Sequence, residues 1–122
     1  MLIALWVVNG LLAAVFLFAG VSKLVKPKDD LVKMGMGYAA DFTGIQMKLI
    51  GAAEVLGGLG LILPLLLGIV PVLTPIAAVG LALLMASAVG VHIRRKEMFV
   101  PPLVLGLLAA ASAVLGFLVV LG

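Results

Sequence analysis

The chain contains no cysteine. Disulfides, thiolate metal sites, thiol redox relays and cysteine nucleophiles are thereby excluded. It contains one histidine, His92, so no histidine-rich metal or haem site can be built. His92 with Glu54 would supply too few ligands for a usual metal centre, and no metal is assigned. Charge is scarce as well: 11% of the 122 residues are Asp, Glu, Lys or Arg, against about a quarter in a soluble domain. No GxSxG elbow, P-loop or dinucleotide fingerprint occurs. The glycines of "GGLG" (Gly57 to Gly60) lie inside an apolar run and read as packing. No residue set points to catalysis by this chain alone.

What is abundant is hydrocarbon. Hydrophobic residues make up 66% of the chain and the mean hydropathy is +1.44, which identifies an integral membrane protein. A hydrocarbon core of ~30 Å takes roughly 20 apolar residues per helical span, so a chain of this length can cross about four times. The net charge of +3 and pI of about 9.6 therefore read as orientation signals for membrane helices, and no nucleic-acid partner is expected.

Four apolar stretches are separated by clear punctuation. Spans are expected at approximately 2–24, 45–67, 74–92 and 100–121. The predicted fold class is all-α: an integral membrane four-helix bundle with short loops, a single transmembrane domain over 1–122. The first stretch has its lysines after it rather than before it, so it reads as a retained helix rather than a cleaved leader. In "KLVKPKDDLVKMGMGYAADFTG" the composition changes. Pro27 followed by Asp29 and Asp30 marks a helix start, and Leu31, Val32 and Met34, with Tyr38 nearby, can lie on the interface as a short surface helix. Asp41 or Thr43 offers an N-cap for the second span. In "GIVPVLTP", Thr74 and Pro75 read as N-cap and first helical position of the third span. Pro101 and Pro102 open the fourth.

Every basic residue falls in two connections. Lys23, Lys26, Lys28, Lys33 and Lys48 accompany the first, and Arg94, Arg95 and Lys96 the last. The positive-inside rule then places both charged loops in the cytoplasm and both termini outside.

Steps of three and four residues collect the small and polar residues on one face of each span. These stripes are Asn9, Ala13, Phe16, Gly20, Lys23; Met47, Gly51, Glu54, Gly58, Leu61; Thr74, Ala78, Leu81, Met85, Ala88, His92; and Pro102, Gly106, Ala109, Ala113, Gly116. In lipid, helices associate by close packing at small residues, so these are the expected inward faces. Glu54 is the costly member. An acid at a span's centre costs about 2.5–3.5 kcal/mol on insertion scales, against about 0.3–0.6 returned by each Leu, Ile or Val. Leu49 to Leu67 holds eleven of those residues, so the span inserts with a narrow margin. Glu54 lies nine residues from Ile45, or about 14 Å, slightly to the cytoplasmic side of the midplane. Lys23 and His92 end their spans on that side. Lys23 can bend inward to the acid or outward to the headgroups.

Two readings of Lys23, Glu54, His92 and Asn9 stand side by side. In one they are a buried polar cluster, with Glu54 protonated or paired with Lys23 and with Lys23, His92 and Arg94 as interfacial anchors. In the other, Lys23, Glu54 and His92 line a pocket that holds the polar head of a hydrophobic molecule.

"FLFAGVSKLVKP", "LIGAAEVLGGLGLILP" and "SAVGVHIRR", in that order and spacing, resemble the DoxX-like family of small four-helix membrane proteins. The resemblance implies a four-helix bundle whose first-helix lysine and second-helix glutamate correspond to Lys23 and Glu54, with His92 at the polar end of helix three. It also implies work with a quinone-linked partner oxidoreductase or a membrane chaperone role. Relatives linked to disulfide chemistry guide little here, given the missing thiols. Three functions remain in view: an accessory subunit binding a quinone or lipid head group, an assembly factor binding a partner's spans, and a transporter. The last would need a homo-oligomer, because four helices leave little room for a path.

Overall fold

The computed structural model describes residues 1–122. Its helices begin where the local chemistry leaves backbone N–H groups to be satisfied. Helix α1 is Leu2–Val25, α2 is Lys28–Lys33, α3 is Gly44–Leu67, α4 is Leu73–Arg94 and α5 is Val100–Leu121; a 3₁₀ turn, Gly37–Asp41, lies between α2 and α3. Each of the four long helices is long and apolar enough to cross a membrane, and the helix ends lie within two residues of the bounds read from the sequence. Of the two candidate caps for α3, Thr43 takes the role. Its hydroxyl accepts from the Gln46 N–H while the Gln46 side chain accepts from the Thr43 N–H, a reciprocal capping box.

Two local expectations are corrected. Thr74 and Pro75 are not the cap and first position of α4: the helix starts at Leu73, with Val72 as its N-cap. Tight turns from Val70 O to Leu73 N and from Pro71 O to Thr74 N wind the chain up before Thr74 is reached. Pro75 is tolerated because first-turn N–H groups have no helical acceptor in any case. Leu31, expected at the interface, is fully buried against Ala39 and Met47. Only Val32 and Met34 of that trio are exposed. The connecting segment is thus pinned to the bundle by its own small core.

The long helices form a ring in the order α1, α3, α4, α5, with α1–α3 and α4–α5 the more extensive pairings. The predicted inward stripes are the ones that face in. Every member of the first two is buried, and in the last two only Ala88, His92 and Gly106 are merely half-buried. Close approach explains the small residues. A Cβ on Gly20 would sit 2.7 Å from Gly51 O, and one on Gly51 would sit 2.8 Å from Gly20 O, so α1 and α3 touch backbone to backbone. The opposite faces carry bare hydrocarbon, such as Ile3 at 81% and Leu56 at 70% exposure. Such faces are stable in lipid, where apolar side chains need no cover.

Candidate functional site: an ion pair beside a cavity at the charged end

Lys23 bends inward. Its Nζ lies 2.5 Å from Glu54 Oε1, and both side chains are about 5% exposed or less. Helical side chains lean toward the N-terminus of their own helix. For Lys23 that direction leads away from the charged end and into the bundle; for Glu54, on antiparallel α3, it leads back toward the charged end. The two therefore lean toward each other. The Gly20–Gly51 contact brings the backbones close enough for one lysine stem to bridge them, and Lys23 Cβ lies beside Gly51.

The pair borders a cavity of about 560 Å³. His92 and Arg94 of α4 line it, as do Tyr38 and Phe42 of the connecting segment, while Ile50, Leu84, Met85 and Leu105 give it hydrocarbon walls. Tyr38 links the polar groups. Lys23 Nζ sits 5.9 Å from its ring centroid, within cation–π range, and the His92 ring packs against it at 5.1 Å. His92 Nδ1 lies 2.7 Å from Ala88 O.

Three of the four residues singled out from the sequence, Lys23, Glu54 and His92, thus share one cavity wall. Asn9 does not join them. It sits deeper in the bundle, donating from Nδ2 to Leu61 O at 2.8 Å and accepting on Oδ1 from the Ser112 hydroxyl. Asn9 therefore ties α1 to α3 and α5.

The basic residues read as orientation signals divide by use. Lys48 Nζ donates to Leu24 O at 2.8 Å, capping the end of α1. Arg95 bridges Asp41 at 2.7 Å and Glu97 at 2.5 Å, clasping the 3₁₀ turn to the α4–α5 connection. Hydrogen bonds from Arg95 to Asp41 and Glu97 hold its guanidinium above the ordinary range. Lys26, Lys33 and Lys96 are exposed and Lys28 half-exposed. Tyr38 and Ser112 were not singled out as site residues. Ser112 does carry a signal, since it stands three and four residues from Ala109 and Gly116 on the small face of α5. Tyr38 carries none, because its segment has no helical period to place it.

These features define a multi-pass, four-helix integral membrane protein with an intramembrane ion pair at one end of the bundle. Comparison with family models gives the match: the DoxX-like family aligns with residues 7–118, and the chain belongs to that family. No curated protein and no solved structure matches it.

Proposed function

We propose that this protein is a non-catalytic accessory subunit that holds a small amphiphile, a quinone or a lipid head group, between its helices beside Lys23 and Glu54, and works with a membrane oxidoreductase. The cavity carries the reading. At about 560 Å³ it falls in the size range of small-molecule sites, which are mostly apolar with a few placed polar groups. Ionisable groups within spans are functional candidates by default. The test is native mass spectrometry of the protein extracted in mild detergent, followed by thermal unfolding with added quinone or lipid. Retained amphiphile and a stabilisation lost in Glu54→Gln support the reading; a bare protein that no amphiphile stabilises overturns it.

A second reading, an assembly factor for partner spans, is favoured by a different feature. A groove of about 480 Å³ runs between α3 and α4 on the lipid side, with Ala53, Gly57, Ala77 and Gly80 along it. A Cβ on Gly80 meets nothing within 4 Å, which leaves backbone open to a partner helix. In that case Gly80→Leu abolishes co-purification of a partner while Glu54→Gln leaves it intact.

A further inference from the structure

Two of the hydrogen-bonding atoms beside the cavity are acceptors without a protein partner. Lys23 engages one carboxylate oxygen of Glu54, Oε1; the other, Oε2, is left to accept from whatever occupies the cavity. His92 is constrained by its other nitrogen. Ala88 O, at 2.7 Å, can only accept, so Nδ1 carries a hydrogen, and in the tautomer this selects Nε2 is a bare lone pair. Neither atom is sealed in the protein: the one buried side-chain polar atom without a partner is Thr74 Oγ1, at the other end of α4. Donors line the cavity as well, on Arg94 and the Tyr38 hydroxyl, while the Lys23 ammonium is committed to Glu54 and lies against Tyr38. The rest of the wall is largely hydrocarbon.

From this we infer that the occupant is a hydroxyl-bearing apolar molecule, a phenol or a long-chain alcohol, whose O–H donates to Glu54 Oε2 or His92 Nε2. The inference rests on the amphiphile-binding reading above and narrows it. A head that can only accept, such as an ether, an ester or a quinone carbonyl, leaves these acceptors desolvated without a partner, and unmatched buried polar groups are strongly selected against. An amine head would also bring hydrogens, but Arg94 and Lys23 outnumber Glu54 on the wall, so a cation is repelled. The hydroxyl has a further advantage beside an ion pair, because its oxygen can accept while its hydrogen is donated.

The experiment uses the full chain in mild detergent and two matched probe pairs: para-nonylphenol with para-nonylanisole, and a monoalkylglycerol with its dimethyl ether. Within each pair the apolar part is kept and only the O–H is lost. Affinities are read from the shift in thermal unfolding against free probe, corrected for partition into micelles. Methylation is expected to weaken binding by about tenfold or more in at least one pair, and the pair affected assigns a phenol or an alkyl alcohol. If parent and ether bind equally in both pairs, the hydroxyl inference falls while the amphiphile site stands. If no probe binds, the hydroxyl inference falls, and the amphiphile reading falls with it only if added quinone and lipid also fail to stabilise the protein. The preference is also expected to shrink in His92→Phe or in the double variant Lys23→Met/Glu54→Leu, each first shown to unfold cooperatively. A preference undiminished in both overturns the assignment to Oε2 and Nε2.

Discussion

Replacing Lys23 by methionine keeps the length and apolar character of the side chain but strands Glu54 without its cation. Glu54 lies ten residues into α3, about 15 Å from the charged end at ~1.5 Å per residue, too deep for a short carboxylate to reach headgroups. The expected loss is therefore that of breaking a buried pair by removing one partner, about 3–5 kcal/mol. The reverse change is gentler. In Glu54→Gln the lysine, two residues from the end of α1, can turn back to the interface on its long stem, so the loss is near that of one charged hydrogen bond, about 2 kcal/mol. The double variant Lys23→Met/Glu54→Gln leaves no stranded charge and is expected to be more stable than Lys23→Met alone. Reversible unfolding in mixed micelles, followed by far-ultraviolet circular dichroism, measures all four corners of the cycle. If the double variant loses the sum of the single losses, the two residues do not act as a pair and the account of this site is wrong.

Five further outcomes follow from the packing. Gly20→Leu must drive α1 from α3, since even a Cβ would lie 2.7 Å from Gly51 O; a loss of about 1–3 kcal/mol or more is expected. Gly10→Ala, which meets nothing within 4 Å, should leave the unfolding curve unshifted or slightly stabilised. Asn9→Leu, read in the same assay, should cost about 1–2 kcal/mol for its two interhelical bonds. Thr74→Val should raise stability by about 1 kcal/mol, because the buried Thr74 hydroxyl has no partner and the change removes an unmet desolvation cost; a decrease would mean that the hydroxyl is bonded. Arg95→Gln should speed amide exchange at Ala39 and Phe42 by releasing the clasp to Asp41. Because its neighbours raise the Arg95 pKa, the contribution of that charge is fully present below the unfolded value and lost only as pH rises past the folded one. Exchange in the native protein should therefore show no change across the neutral range from Arg95 titration; a neutral-range transition abolished by Arg95→Gln would contradict this.

Much of the bundle is legible in one dimension. Lipid demands long apolar helices, helices have a fixed period, and close packing in lipid selects small residues, so spans and inward stripes follow from spacing alone. The inward bend of Lys23 was not legible, because its long stem can reach the acid or the headgroups, and only the packed pair shows which. Asp41 and Thr43 both suited a cap by residue type, and the signal that separates them is Gln46, three residues after Thr43. Thr74 misled for a related reason: the residue type suits a cap, but a turn from Val70 and Pro71 starts the helix earlier, and only backbone geometry shows it.

The non-periodic segment between α1 and α3 marks the boundary. The sequence alone determined that this is a four-span membrane protein with an acid and a lysine on facing stripes, because each of those properties is local or periodic. Only the tertiary structure decided that Tyr38 reaches the ion pair, that Leu31 turns inward, that Asn9 bonds α3 and α5 rather than facing the cavity, and that Glu54 and His92 share one cavity wall. Those outcomes depend on which side chains meet after the helices and their connection have packed, and residues 31 to 103 positions apart in the chain have no local rule that brings them together.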